Sequence, residues 1–362
     1  MTRGKYIGLF CAIATSIAIG GLGYARPSHN WDMIAYIATA YNYAGIGGER
    51  LLQATLAETK AEVTPSEYQE LTTSNDYRRT VSEDTTALEE NINFYSVRPL
   101  YIVGLRILKD YLAIPYARGT YIISSIFAAL SVLTLYFIFC PMNYVQLALF
   151  PAIIVTTGFV GLARSSTPDA LATFLALLGL WGVARASKLT VLIAFILPYA
   201  RPDYIILSVL MSIHTYLVVS RRWGVFSLIT SFASYAIIMK FTNGYGWLTA
   251  FNFAFINVTP FPAKMVISRN LGDYVKPYYV CAKNFLDSAF FIPLAATCLL
   301  AIGHYSISTT RAQIFVISVA FFLLHLLVFP SYDPRFFLWC IGITSMFLFE
   351  QASLHAVPRT LS

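Results

Sequence analysis

Eighteen acidic residues stand among 362, and ten of them crowd between Glu49 and Glu90. The other eight are Asp32, Asp110, Asp169, Asp203, Asp273, Asp287, Asp333 and Glu350. Four of these, Asp32, Asp169, Asp203 and Asp333, border apolar runs far apart in the chain. Arg164, Arg201 and Arg335 each stand within five residues of one of them. A carboxylate near a bilayer is costly and tends to mark a pathway or a site. A single one can equally end a helix in the headgroup region at little cost, so the recurrence carries the weight. An aspartate can orient and deprotonate a hydroxyl. An arginine stays charged and grips phosphate with a planar fork.

The elements that position these residues follow from composition. The chain is 57% hydrophobic and 12% charged, with mean hydropathy +0.63. Soluble domains carry about 25% charged residues, so an all-α integral membrane protein is expected. The formal charge of +7 is spread as single and paired bases, which suits topology determinants and not a nucleic-acid partner. No disulfide framework is visible in the five cysteines. Crossings take ~20 apolar residues and are expected near 6–24, 119–139, 143–162, 168–184, 189–200, 203–219, 223–241, 287–303, 312–330 and 335–350. Segment 98–116 carries Arg106, Lys109 and Asp110, with Leu100, Val103, Ile107 and Tyr111 at helical spacing. It reads as an amphipathic helix in the interface. The N-terminus and Arg185, Lys188, Arg221, Arg222, Arg311 and Arg359 then fall inside, and the four acids fall at outer mouths. Residues 25–118 form a long outer loop with interfacial helices, and 242–286 a second. The whole of 1–362 reads as one transmembrane domain with no soluble C-terminal domain.

The same residues resemble the GT-C superfamily of membrane glycosyltransferases. "NWDMIAYIATAYNYA" is similar to the acid that opens its first outer loop, at Asp32 with Tyr36 one turn on. "YSVRPLYIVGLRIL" is similar to its second juxtamembrane helix, at Pro99 and Leu100. "RSSTPDALATFLALLG" matches its later acid at Asp169, and "YARPDYIIL" its arginine-proline-acid turn at Arg201 to Asp203. "PSYDPRFFLWCIG" resembles its late acid-x-arginine-aromatic element at Asp333, Arg335 and Phe336, preceded by Tyr332. The first acid stands alone where many members have two. The resemblance implies a GT-C-like bundle of about ten transmembrane helices. It implies a polyprenyl-phosphate-linked sugar as donor and a glycan, lipid or protein hydroxyl as acceptor, among membrane lipids. The place would be the outer face of a bacterial cytoplasmic membrane, or the lumenal face of an ER membrane.

In that reaction an acceptor hydroxyl displaces a lipid-linked phosphate from an anomeric carbon. Asp32 is the expected base, with Asp169 next in line or organising the loop helices. Arg201 and Arg335 are expected on the departing phosphate, with Arg164, Lys264, Arg269 and Lys276 behind them. Tyr36, Asp203, Tyr332 and Asp333 would support the site. His29 either joins it or is solvated, and His325 either faces the cavity or bonds a neighbouring helix. Trp247, Phe251 and Phe253 either line a sugar or prenyl groove or pack in the core. No zinc or nucleotide motif is present; the sequence names no definite cofactor, and a divalent cation is left open. The rival readings are a polysaccharide polymerase or ligase, a lipid-carrier transporter and a silent scaffold. A transporter would favour internal pseudo-symmetry, and no internal repeat is visible.

Overall fold

An apolar run with no water beside it must satisfy its own amides, which leaves the helix as the solution for a single segment. The computed structural model describes residues 3–140, 144–304 and 309–355, and every regular element among them is helical. In chain order these are α1 (Arg3–Ala25), α2 (Trp31–Tyr43), α3 (Gly48–Glu62), α4 (Pro65–Thr73), α5 (Asp76–Glu83), α6 (Thr85–Asn91) and α7 (Pro99–Leu112). Then follow α8 (Tyr116–Phe139), α9 (Tyr144–Thr156), α10 (Phe159–Arg164), α11 (Asp169–Ala184), α12 (Leu189–Ala200), α13 (Ile205–His214) and α14 (Arg221–Phe241). The last five are α15 (Trp247–Phe255), α16 (Leu271–Leu286), α17 (Phe291–His304), α18 (Thr310–Val328) and α19 (Leu338–His355).

Five helical stretches are long and apolar enough to cross a membrane: Tyr6–Ala25, Tyr116–Phe139, Pro202–Val219, Arg221–Phe241 and Thr310–Val328. Leu147–Thr156, α11 and α12 are apolar but shorter. The run expected at 143–162 is not one helix. Gly158, at φ +100°, takes a conformation that side-chained residues rarely adopt and separates α9 from α10. Residue 143, where that run was expected to begin, and Arg359 lie outside the described residues.

α8 packs between α1 and α11; α12 packs on α11, α13 and α14; and α18 packs on α13 and α19. Small residues allow the close approaches. A Cβ on Gly23 would lie 2.5 Å from the Ala163 carbonyl oxygen, so α1 and α10 touch backbone to backbone. Several buried hydroxyls tie helices together, as where Ser16 donates to the Ala129 carbonyl (2.6 Å) and Ser124 to that of Thr167 (3.0 Å).

Residues 25–98 fold as a layer of short helices over one end of this bundle. Their boundaries follow local chemistry. Thr64 and Glu67 form a reciprocal capping box on α4, while Asn75 and Asp84 cap α5 and α6. Glu58 of α3 ties the layer down, accepting from Tyr41 of α2 (2.5 Å), Lys109 of α7 (2.9 Å) and the Ala117 amide of α8 (2.8 Å). The helix expected at 98–116 is α7, but its apolar residues divide between two faces. Tyr101, Ile102 and Leu105 are buried, whereas Val103, Ile107 and Tyr111 point outward. The segment 242–286 supplies α15 and α16. Asn91 donates to the Pro260 carbonyl (2.8 Å) and Ser96 to that of Thr242 (2.7 Å), joining the two layers.

Candidate functional site

The four acids singled out from sequence all sit at helix starts. Asp32 and Asp169 lie in the first turns of α2 and α11, and Asp203 in the short 3-10 turn Pro202–Tyr204 before α13. Asp333 caps the 3-10 turn Pro334–Phe337 before α19, its Oδ1 accepting from the Arg335 amide (3.1 Å). Acids are favoured there because free amides and the helix dipole present positive charge. That local preference does not explain why the four starts meet. They meet because α2, α11, α13 and α19 all begin at one end of the bundle, around a cavity of about 430 Å³.

One wall of that cavity is a continuous chain of charge. Arg201 closes a bidentate fork on Asp203 (Nε to Oδ1 3.1 Å, Nη2 to Oδ2 2.9 Å) and gives Nη1 to Asp169 Oδ1. His325 Nε2 lies 2.9 Å from Asp203 Oδ2 and carries the hydrogen, since a carboxylate only accepts. Asp169 Oδ2 accepts from Thr167 (2.7 Å) and lies 3.8 Å from Arg335 Nε. Arg335 Nη1 donates to Asp32 Oδ2 (3.1 Å), and Tyr95 donates to Asp32 Oδ1 (2.9 Å). Arg335 Nε is 2.8 Å from Asp333 Oδ2 but poorly aligned for a hydrogen bond, so that contact is an ion pair. Phe336 spaces the two cations, with Arg201 Cζ 4.2 Å and Arg335 Cζ 4.9 Å from its centroid.

Burial sorts these groups by task. Arg201 is 5% exposed and Asp169 3%, each with its polar edge committed to protein partners. The Asp32 and Arg335 side chains keep 26% and 35% exposure and face the cavity as a pair. Burial alone would lower the Arg335 pKa, but Asp169, Asp32 and Asp333 outweigh it and raise it. Burial and the neighbouring Asp32 charge push the Tyr95 hydroxyl well up, so it remains a donor.

Of the residues expected from sequence, Asp32, Asp169, Arg201, Arg335, Tyr36 and Asp203 line the cavity, and Asp333 touches it through Arg335. The others do not. Arg164 turns away and gives Nε to the Arg26 carbonyl (2.6 Å). Lys264 lies over Phe261, and Arg269 and Lys276 are exposed on the second layer. His29 bonds Glu67 (3.3 Å), and Tyr332 stacks on Phe337 in the bundle. Each of these side chains is held by a local partner or by solvent outside the cavity. Trp247 and Phe253 line the cavity, while Phe251 is core.

Arg98, Tyr95, Thr167 and His325 complete the lining. In sequence Arg98 is marked only by its place before Pro99 and Leu100. Among the described residues it is the cavity cation without a carboxylate partner. Its Nη1 donates to the Phe94 carbonyl (3.0 Å), and its Cζ lies 5.8 Å from the Tyr36 ring and 5.7 Å from that of Tyr95. The opposite wall is apolar, formed by Ile205, Ile206, Tyr235, Met239, Val328 and Phe329.

The cavity carboxylates are engaged within the protein. All six carboxylate oxygens of Asp32, Asp169 and Asp203 already accept from guanidinium, imidazole or hydroxyl donors. No three His, Cys, Asp or Glu side chains converge as an all-protein metal site would need, among the described residues. No protein-family model, curated protein or solved structure matches the chain.

Proposed function

We propose that the chain is an integral membrane glycosyltransferase of GT-C type. It would move a sugar from a polyprenyl-phosphate donor to an acceptor hydroxyl at the outer face of the membrane. The observation that carries this reading is the pairing, in one cavity, of a solvent-reachable Asp32–Arg335 couple with the uncompensated Arg98 and an apolar wall. A hydroxyl beside Asp32 gives up its proton to the carboxylate as its oxygen bonds to the anomeric carbon. The bond from that carbon to the phosphate oxygen breaks, and the electron pair leaves with the polyprenyl phosphate. Arg98 and Arg335 then face the charge that develops, in a cleft where fixed donors need little reorganisation. Arg201 positions Asp169 and Asp203 and does not itself reach the phosphate. In this reading the bundle crosses the bilayer about ten times. Residues 25–98 and 242–286 lie outside, and both termini inside.

Purified protein incubated with radiolabelled polyprenyl-phosphate sugars and a hydroxyl acceptor should release polyprenyl phosphate and label the acceptor. Asp32→Asn keeps the size and the Tyr95 hydrogen bond but removes the proton acceptor, so transfer should fall below a tenth while thermal stability is kept. Full turnover in Asp32→Asn sinks the assignment. Movement of intact donor between leaflets without bond cleavage would favour a lipid-carrier transporter.

A further inference from the structure

The end of the bundle opposite the cavity carries a second concentration of charge, of one sign. α11 and α13 end there and α12 and α14 begin there, bringing Arg185, Lys188, Arg221 and Arg222 to one edge. All four are exposed, and the chain has no acid between Asp169 and Asp203 or between Asp203 and Asp273. Lys188 Nζ lies 4.8 Å from the Trp223 ring, which brings the starts of α12 and α14 side by side, and Arg185 lies 5.8 Å from Trp181. Arg311, another cation at this end, is by contrast taken up by Glu350 and the Phe139 carbonyl.

The apolar surface above this edge continues the pattern. On α12, Leu192 stands one turn beyond Lys188 and is 54% exposed. On α14, Val225 and Phe226 stand one turn beyond Arg221 and Arg222 and are 47% and 52% exposed. Cations followed at the next turn by outward apolar side chains match a phosphate headgroup followed by acyl chains. Two tryptophans at the boundary suit the interface.

We propose that this edge is a binding site for an anionic phospholipid bearing two phosphates, in the leaflet opposite the cavity. Four uncompensated bases, Arg185 at the end of α11, Lys188 at the start of α12 and Arg221 and Arg222 at the start of α14, match two phosphates, and clustered bases between helices recognise such headgroups. The site does not depend on glycosyl transfer.

The test uses the full chain in neutral detergent, titrated with cardiolipin and, separately, with phosphatidylcholine, and read by native mass spectrometry. Wild type should retain cardiolipin in preference. R185Q/K188Q and R221Q/R222Q should each weaken it roughly tenfold or more, the scale expected of two bases near an anionic lipid surface. Arg50→Gln, in the opposite layer, should bind as wild type, and the charge-keeping pair K188R/R221K should do the same. If the glutamine pairs fail to fold, wild type decides alone: cardiolipin retention must fall steeply from low to molar salt. Equal binding by wild type and the folded glutamine pairs overturns the proposal. So do equal retention of phosphatidylcholine, insensitivity to salt, and displacement of cardiolipin by an equal concentration of inorganic pyrophosphate.

Discussion

Replacing Arg98 and Arg201 by alanine should separate ligand recognition from folding, although both line one cavity. Arg98 has no carboxylate partner among the described residues. Its removal strands no buried charge and forfeits one bond to a carbonyl and two ring contacts, about 1–2 kcal/mol of stability. If it holds the departing phosphate, a charge-assisted hydrogen bond of about 1.5–3 kcal/mol is lost, so kcat/KM for the donor should fall roughly 10- to 150-fold. Arg201→Ala should do the reverse first. It leaves Asp169 and Asp203 facing each other without their shared cation, and breaking a buried pair costs about 3–5 kcal/mol. The assays are thermal unfolding in detergent and transfer kinetics with varied donor on the folded fraction. Arg98→Lys should recover part of the rate, because charge returns without the fork. The reasoning is refuted if Arg98→Ala keeps donor kcat/KM within twofold. It is refuted equally if Arg201→Ala unfolds no more readily than Arg98→Ala.

Glu58→Ala removes the acceptor shared by Tyr41, Lys109 and the Ala117 amide, and should cost about 3 kcal/mol. Limited proteolysis should then cut between α2 and α3 sooner than in wild type, and Glu58→Gln should be milder. Thr64→Ala should cost α4 about 1 kcal/mol, seen as faster amide exchange over 65–73. The Thr64 amide and hydroxyl hold the Glu67 carboxyl below its usual range. Since its folded pKa is depressed, that contribution is present above the unfolded pKa and is lost as pH falls through the folded one. The exchange difference between wild type and variant should therefore shrink in acid.

The helical class and the meeting of the acids were legible because each acid borders an apolar run, and a helix start is where an acid is stable. Which cations join them was not. Arg164 stands five residues from Asp169, and Lys264 in a basic, aromatic outer segment, so both are plausible partners in sequence. Yet a carbonyl claims Arg164, and Lys264 lies outside the cavity over Phe261. Arg98 stands out only once Tyr36 and Tyr95 are seen beneath it and no acid within reach, a fact spread over helices far apart in the chain. In α7, apolar residues recur on two faces, and spacing alone does not say which one packs. Tyr101, Ile102 and Leu105 turn inward because α2 and α8 are there to receive them.

Two side chains of the segment 242–286 finish a helix that does not belong to it. Trp247 Nε1 donates to the Val328 carbonyl (2.8 Å) and the Tyr278 hydroxyl to that of Leu327 (2.7 Å), at the end of α18. Carbonyls at a helix end otherwise seek water, and here water would enter beside Val328 and Phe329, on the apolar wall. The end of α18, beside the apolar wall, is thus capped by residues from another segment of the chain. A single backbone cut between Asn257 and Asn270 removes no lining residue. It would nonetheless uncouple the two caps, leaving the Leu327 and Val328 carbonyls to be held by two separately tethered helices.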